Sequence, residues 1–198
     1  DDTVCLTADE SLNARITCGM SQFNILGTNA DDYPELPQVD YQNSITLPQR
    51  TLKSMIAETI FAVSDNEVRP VHTGSLFDIE NKVLTVVSVD GYRLALRRET
   101  LENTELENGS FIVPGAALNE AEKICEDTED PVVITLGSKH IMFSIGDTIV
   151  ISRRLEGEFL NYKQAIPKDS KYLIRADRRS LISSVERVSL LINDRLKS

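Results

Sequence analysis

The sequence predicts an α+β protein in which one strand-helix-three-strand unit is duplicated, with antiparallel sheets outside and the helices on one side. The pattern of residue types at 29 to 52 recurs at 155 to 181, and the pattern at 45 to 52 recurs at 111 to 118. Such self-similarity indicates a supersecondary unit used more than once. The connections between strand patterns are too short for parallel crossovers, so neighbouring strands are expected to be antiparallel. One unit alone has too few elements to bury its apolar surface, so two units are expected to pair within one domain.

The elements begin with three strand-forming runs at residues 4 to 6, 15 to 18 and 23 to 26, separated by turn-forming residues. This pattern predicts a meander of three strands. Residues 28 to 42 are rich in Asn, Asp and Pro without apolar periodicity, which predicts a linker.

The first repeated unit opens with a strand from residue 45 into Pro48. Proline is tolerated just inside a helix start, where its missing N–H has no partner in any case, so a helix is predicted to follow. Its apolar stripe at helical spacing is Leu52, Met55, Ile56, Ile60 and Val63.

Three strands are then predicted at 76 to 79, 83 to 87 and 92 to 96. The last two are joined through Asp90-Gly91, the strongest hairpin signal in the chain.

The second unit repeats this order, with a strand at 110 to 113 and a helix at about 115 to 126. Its three strands are predicted at 132 to 136, 140 to 145 and 148 to 153. A third unit begins with a strand at 171 to 174 and a helix at 177 to 192, with Leu181, Val185, Val188 and Ile192 on one face. Because the repeat starts and stops out of phase with the chain ends, the sequence is interpreted as a window on a longer array.

Composition indicates a globular protein, since 41% of the 198 residues are hydrophobic. A net charge of −10 argues against a nucleic-acid partner, because the surface taken as a whole would repel phosphate groups. Cys5, Cys18 and Cys125 match no metal or redox spacing and are expected to be small buried hydrophobes in a reducing compartment, by default the cytoplasm. No apolar run approaches the roughly 18 residues of a membrane span, so no membrane association is expected.

No catalytic constellation is visible. His72 and His140 have no Cys, Asp or Glu at ligand spacing, and no glycine-rich loop matches a phosphate cradle, so neither a metal nor a cofactor is predicted. The 31 carboxylates leave open a hydrolytic acid/base pair of the kind that glycosidases use. The run from Asp90 to Arg93 is explained by a hairpin turn.

Several motifs resemble one known family. Residues 86 to 96, preceded by Arg69-Pro70-Val71 and by residues 74 to 77, resemble the middle domain of the bacterial DNA sliding clamps, the beta subunits of DNA polymerase III. Residues 111 to 118 and 155 to 167 are similar to later motifs of that family, in the same order.

The resemblance covers the whole chain and implies three parts. Residues 1 to 39 would be the C-terminal part of the first clamp domain, 40 to 163 the complete middle domain, and 164 to 198 the start of the third domain.

The resemblance also implies a non-catalytic processivity subunit that, at full length, forms a homodimeric ring around duplex DNA. A closed ring is held by topology and needs little phosphate affinity, which is compatible with an acidic exterior. The candidate DNA-facing residues on the helices and the loop after the first helix are Arg50, Lys53, Arg69, Lys123, Arg178 and Arg179. The second helix departs from a basic pattern, because Glu120, Glu122 and Glu126 accompany Lys123.

The family further implies a cleft where the replicative polymerase, the clamp loader and repair proteins dock short apolar peptides. The matching positions are His72, Val89, Gly91, Tyr92, Arg93, Leu94, Leu160, Gln164 and Ala165. Gly91 would admit a ligand close to the backbone, whereas Val89, Leu94 and Leu160 would supply an apolar wall. Tyr92 and Arg93 would offer polar tips at the rim.

Three of these positions differ from the family pattern. His72 replaces an apolar residue, Leu160 replaces proline, and Gln164 stands where a basic residue is common, which predicts an altered peptide preference. A processivity clamp is the leading hypothesis. A carboxylate-dependent hydrolase with a coincidental repeat, and an interaction scaffold that binds no DNA, are the alternatives.

Overall fold

The computed structural model describes residues 3–33, 35, 43–102, 104, 106–169 and 171–191. The chain divides into two compact units, Asp1–Gly157 and Glu158–Ser198. None of the helices in the described ranges is long and apolar enough to cross a membrane.

The N-terminal strands form the predicted antiparallel meander, in the order β1 (Val4–Ala8), β2 (Asn13–Cys18) and β3 (Ser21–Leu26). Its register places Leu6 opposite Ile16 and Ile16 opposite Phe23. Because side chains alternate along a strand, these rows make one face apolar and the neighbouring rows make the other face polar. The apolar face is largely exposed, with Leu6 69% and Phe23 64% accessible.

The cysteine prediction was wrong for two residues of three. Cys5 is exposed and Cys18 is half-buried, because both belong to this uncovered sheet, and only Cys125 is buried. Burial raises the pKa of the Cys125 thiol, as expected for an inert core cysteine.

About half of the predicted linker, residues 28 to 42, falls outside the described residues. Its described part includes a short 3-10 turn at Ala30–Asp32, where the Asn29 side chain accepts a hydrogen bond from the Asp31 N–H.

The repeated unit is confirmed. Its first copy contains β4 (Asn43–Pro48), α1 (Gln49–Ala57), β5 (Gly74–Glu80), β6 (Val83–Val89) and β7 (Leu94–Thr100). The second copy contains β8 (Asn108–Pro114), α2 (Gly115–Ile124), β9 (Pro131–Leu136), β10 (His140–Ile145) and β11 (Thr148–Arg153).

The two copies exchange their first strands. The two four-stranded sheets have the orders β11-β10-β9-β4 and β7-β6-β5-β8, and every pairing is antiparallel. Each sheet thus joins three strands of one copy to the first strand of the other. Neither copy can complete its sheet alone, which gives a hydrogen-bonding reason for the pairing that the sequence predicts.

One hydrophobic core joins both sheets and both helices. The helices α1 and α2 pack against each other, and their buried residues, including Leu52, Met55 and Leu118, belong to the same cluster as the inner faces of the strands. The Phe77 and Phe111 rings meet across β5 and β8 with centroids 5.3 Å apart.

The helix boundaries differ from prediction at both ends of α1. Pro48 is the N-cap and the last strand residue, not an internal helix residue, because its φ of −61° and ψ of 146° are extended. The helix ends at Ala57, so Ile60 lies in a 3-10 turn and Val63 in extended backbone. The Thr59 hydroxyl donates to the Met55 carbonyl at 2.8 Å, which satisfies an acceptor that helix continuation would have used.

Strand β7 begins at Leu94 rather than at residue 92. Tyr92 and Arg93 belong to the turn, because both of their backbone N–H groups donate to the Asp90 carboxylate.

In the unit Glu158–Ser198, the predicted strand at 171 to 174 is absent from the described residues, because no other described strand pairs with it. The helix α4 (Arg178–Ser189) is shorter than predicted, and a short helix α3 (Tyr162–Ala165) was not predicted. Leu181, Val185 and Val188 of α4 are exposed, whereas Ile192 falls outside the described residues.

Candidate functional site

A cleft of about 450 Å³ opens beside the turn between β6 and β7. Three segments line it: the loop that follows the 3-10 turn Ile60–Ala62, the 3-10 turn Pro70–Thr73 and the β6–β7 turn. The lining residues are Ser64, Asn66, Val68, Arg69, His72, Asp90, Gly91 and Tyr92. The structure therefore brings three of the nine residues assigned to a peptide cleft, His72, Gly91 and Tyr92, into one lining.

The β6–β7 turn is organised by Asp90. One carboxylate oxygen accepts the backbone N–H groups of Tyr92 and Arg93, both at 3.0 Å, and the other accepts the Arg93 guanidinium at 2.7 Å. The hydrogen bonds from the Tyr92 and Arg93 backbones, followed by the Arg93 side chain, lower the pKa of Asp90. The carboxylate is thus ionised, and Arg93 largely balances its charge within the turn.

Gly91 adopts a φ of +95°, a conformation that glycine reaches without the steric cost of a side chain. A Cβ built at this position would meet nothing within 4 Å. The space beside the Gly91 backbone is therefore open to a ligand.

Arg93 is held on two sides. In addition to its ion pair with Asp90, its guanidinium carbon lies 5.6 Å from the centroid of the Phe61 ring. A cation over an aromatic face is attracted by the ring quadrupole, so the Arg93 side chain is held in place next to Tyr92, although Arg93 itself is not part of the cleft lining.

His72 lies in the 3-10 turn Pro70–Thr73 and is half-buried. Its backbone N–H donates to the Arg69 carbonyl and its carbonyl accepts from the Ser64 N–H, each at 2.9 Å. Burial lowers the pKa of His72, and the adjacent Arg69 charge lowers it further, so the imidazole is neutral near pH 7.

The residues predicted to form an apolar wall differ in burial and in the unit to which they belong. Val89 is 5% exposed and lies among the buried residues of β6, and Leu94 is half-buried at the start of β7. Tyr92 is fully exposed. Leu160, Gln164 and Ala165 belong to the other unit, where all three are exposed.

The cations of α1 have intramolecular partners near the end of α2. Arg50 forms an ion pair with Glu129, in the loop after α2. The Lys53 ammonium donates to the carbonyl of Cys125, the C-cap of α2, at 2.8 Å. Sequence reasoning missed both partners, because they are far from α1 along the chain.

The remaining candidate cations lie in three places. Lys123 pairs with Glu120 on the same helix at 2.8 Å. Arg178 and Arg179 are exposed in the first turn of α4, after the N-cap Asp177. Arg69 lies beside His72 in the lining of the cleft.

A second cleft, of about 420 Å³, bears on the hydrolase alternative because Glu99, Glu102 and Glu129 line it. Glu129 is paired with Arg50, and Glu99 accepts from Arg97 at 3.2 Å. Two of these three carboxylates are therefore already engaged by arginine side chains. Among the described residues, no group of three or more His, Cys, Asp or Glu side chains is placed to hold a metal ion.

Comparisons with known proteins identify the family to which this fold belongs. Residues 46–161 match the family model for the DNA polymerase III beta subunit, central domain. The chain is 37% identical over 191 residues to a beta sliding clamp of Staphylococcus aureus, covering 96% of this chain and 50% of the relative. A beta sliding clamp of Halalkalibacterium halodurans is 36% identical over 184 residues, covering 92% of this chain and 48% of the relative.

Among solved structures, the DNA polymerase sliding clamp of Bacillus subtilis superposes with a TM-score of 0.89 at 32% identity, covering 96% of this chain and 50% of that one. The chain thus spans about half the length of the relatives it matches. With its central-domain match, its duplicated units and its α+β sheet arrangement, the chain belongs to the family of the DNA polymerase III beta subunit, the beta sliding clamp.

Proposed function

We propose that this chain is part of a DNA sliding clamp, a non-catalytic processivity subunit of the replicative DNA polymerase holoenzyme. The complete protein would form a homodimeric ring around duplex DNA in the cytoplasm. The observation that carries this proposal is the match of residues 46–161 to the central domain of the beta subunit. We further propose residues 1 to 39, 40 to 163 and 164 to 198 as parts of successive clamp domains.

The helix cations support sliding rather than tight DNA binding. Arg50, Lys53 and Lys123 already bind Glu129, a backbone carbonyl and Glu120, so a phosphate must compete with these partners. Contacts of this kind are weak and independent of sequence, which suits a ring that moves along DNA. Arg178 and Arg179 would add exposed charge on α4.

The cleft beside the β6–β7 turn is the proposed docking place for short apolar peptides of the polymerase, the clamp loader and repair proteins. Its open Gly91 backbone, the exposed Tyr92 ring and the pre-positioned Arg93 provide the surfaces that peptide capture requires. We also propose Leu160, Gln164 and Ala165 as peptide-binding positions, on the resemblance to the family alone.

Peptide docking is tested by fluorescence polarisation with a short apolar peptide, fluorescein-labelled Leu-Leu-Leu-Phe. Leu94→Asp and Gly91→Trp should weaken binding by about tenfold or more, since each alters a central contact. Tyr92→Ala truncates a fully exposed side chain, so it tests the same cleft without endangering the fold. Ile149→Asp, an apolar-to-acid change at an exposed position of β11, is the matched control. Unchanged affinity in all three cleft variants would overturn the assignment.

The DNA role is tested in the complete clamp. Reversing the charges of Arg50 and Lys53 together should shorten the products of primer extension by the cognate polymerase. Unaltered processivity, with intact peptide binding, would favour a scaffold that makes no use of DNA. The matches reported above give no support to the hydrolase alternative.

A further inference from the structure

The segment that follows β11 contacts β8 through one leucine. The Leu155 N–H donates to the Ile112 carbonyl at 3.1 Å, and these two residues form an isolated antiparallel bridge. The Leu155 side chain also reaches the start of β5, where one of its methyl groups would lie 2.8 Å from a Cβ built at Gly74. In the second copy of the repeated unit, a leucine therefore fills the space between β8 and the start of β5.

Backbone hydrogen bonds identify the equivalent of this leucine in the first copy. In each copy, the first residue after the last strand donates its N–H to a carbonyl in the turn between the second and third strands. These bonds join Leu101 to Lys82 at 2.8 Å and Arg154 to Lys139 at 2.9 Å. Leu101 and Arg154 are thus equivalent, so the residues that follow them, Glu102 and Leu155, are equivalent as well.

The strands around Leu155 also have equivalents in the other sheet. In each sheet, a proline that ends the exchanged first strand pairs with the first residue of the adjacent strand. The pairs are Pro114 with Gly74 and Pro48 with Pro131. Two residues before each proline, Ile112 of β8 is equivalent to Thr46 of β4. The place that corresponds to the Leu155 side chain is therefore bounded by Thr46, Pro48 and Pro131.

The cleft of about 420 Å³ lies at this place, since its lining contains those three residues together with Leu47 and Glu102. Glu102 is exposed, so its side chain does not fill the space as Leu155 does. Among the described residues, no backbone N–H outside the sheet donates to the Thr46 carbonyl. The first copy thus leaves open the space that the second copy fills with a leucine.

The charges of the lining favour a cation beside an apolar group. Three carboxylates and one guanidinium line the cleft, those of Glu99, Glu102, Glu129 and Arg50. Arg50 engages Glu129, and Arg97 engages Glu99 at 3.2 Å. Glu102 has no ion pair among the described residues. An unbalanced carboxylate therefore lies next to the apolar surface of Leu47 and the two prolines.

From this comparison we infer that the cleft is a docking site for an extended segment of a partner protein that carries a leucine-like residue next to a lysine or arginine. The apolar side chain would occupy the place equivalent to that of Leu155, and the cation would pair with Glu102. This cleft shares no lining residue with the cleft beside the β6–β7 turn. The inference therefore goes beyond the proposed function.

A separate protein is the favoured occupant for two reasons. The Arg154-Leu155 segment of this chain has the required chemistry, but the Arg154 side chain already donates to the Gly137 carbonyl at 2.9 Å and Leu155 is bound to β8. A second copy of the chain would have to give up these contacts in order to dock through them. Nucleic acid is disfavoured because the carboxylates of the lining repel phosphate groups.

The test uses the full chain and fluorescein-labelled Ser-Arg-Arg-Leu-Glu-Gly, the sequence of residues 152 to 157. We expect saturable binding by fluorescence polarisation. Serine in place of the peptide leucine should weaken binding about tenfold or more, because the buried apolar contact is lost. Glutamine in place of both peptide arginines should weaken binding about threefold, as for an exposed ion pair, and added salt should reduce that difference.

Substitutions in the chain then assign the binding to this cleft. Glu102→Leu should fill the space as Leu155 does, so it should abolish binding without lowering resistance to urea. Glu102→Gln should weaken binding about threefold but leave the affinity of the peptide without arginines unchanged, since the paired charge is then already absent. Glu156→Gln removes a carboxylate from an exposed position outside the lining and should have no effect.

Several outcomes would overturn the inference. They are an absence of binding, equal binding of the leucine and serine peptides, and binding that neither substitution of Glu102 alters. Binding that Gly91→Trp abolishes and unlabelled Leu-Leu-Leu-Phe displaces would place the peptide beside the β6–β7 turn and overturn it as well. The proposed clamp function would survive all of these results, because the match to the beta subunit central domain carries it.

Discussion

Three glycines of the compact unit Asp1–Gly157 meet different physical requirements. A Cβ at Gly74 would lie 2.3 Å from the Val113 carbonyl oxygen and 2.8 Å from a methyl group of Leu155. Gly91 has open space around it but a φ of +95°. Gly109 has neither constraint, since its nearest neighbour would be a Leu106 methyl group at an ordinary 3.4 Å.

Alanine at these positions should therefore have graded effects on stability. We expect Gly74→Ala to lower the free energy of unfolding by about 3 kcal/mol, because the backbone of β8 must move. Gly91→Ala should lower the free energy of unfolding by about 1 kcal/mol, because a Cβ is unfavourable in the left-handed backbone that Gly91 adopts. Gly109→Ala should be neutral or stabilising by roughly 0.5 kcal/mol. Urea denaturation followed by circular dichroism measures all three, and a larger loss for Gly91→Ala than for Gly74→Ala would contradict this reading.

Single residues show what the sequence could and could not reveal. The Asp90-Gly91 turn was predictable, since local hydrogen bonding and positive φ are properties of those residue types. The position of Arg69 was not, because it depends on the path of an irregular loop. Ser64, Asn66 and Val68 were missed for the same reason, and only their place just before the Arg69-Pro70 motif could have suggested them.

At the level of elements, the sequence predicted the order of strands and helices between residues 43 and 153 but not the exchange of first strands between the two copies. Strands β4 and β8 have similar patterns, with buried Ile45 and Leu47 in one and Phe111 and Val113 in the other. An alternating pattern identifies a strand and its inner face, and it does not identify the partner. The pairing of β4 with β9 therefore required the structure.

The junction between α1 and α2 depends on two contacts that cross between the copies. The Gln49 side-chain oxygen, in the first turn of α1, accepts from the Glu126 N–H at 2.8 Å. Lys53 donates to the Cys125 carbonyl, also at 2.8 Å. Both contacts satisfy backbone groups just beyond the C-terminus of α2, which helix hydrogen bonds leave without partners.

Replacing Lys53 tests this junction. Lys53→Met keeps much of the aliphatic side chain and should lower the free energy of unfolding by about 1 kcal/mol, since one partly buried hydrogen bond is lost. Lys123→Met removes the same charge from an exposed ion pair on α2 and should cost about 0.5 kcal/mol or less. Equal losses in the two variants, measured by urea denaturation, would show that the Cys125 contact contributes nothing specific.

Across the whole molecule, burial is distributed unevenly. The core of residues 43 to 153 contains fully buried side chains from both sheets and both helices. The apolar face of the β1–β3 sheet and the apolar stripe of α4 are exposed, with Leu6 69% and Val185 60% accessible. For α4 the sequence predicted the described part of this stripe, Leu181, Val185 and Val188, because helical periodicity shows which residues share one face.

Hydrogen exchange should follow this distribution. Amides of residues 3 to 27 and 171 to 191 should exchange faster than those of the strands between 43 and 153, because less buried apolar surface opposes their local opening. Mass spectrometry of peptic peptides, recorded at several protein concentrations, measures the difference. Uniform protection in a monomer would contradict the prediction. Protection of the two exposed segments that increases with concentration would show that another copy covers their apolar faces, and Leu6→Ser or Val185→Ser should then remove the increase without altering exchange in the core.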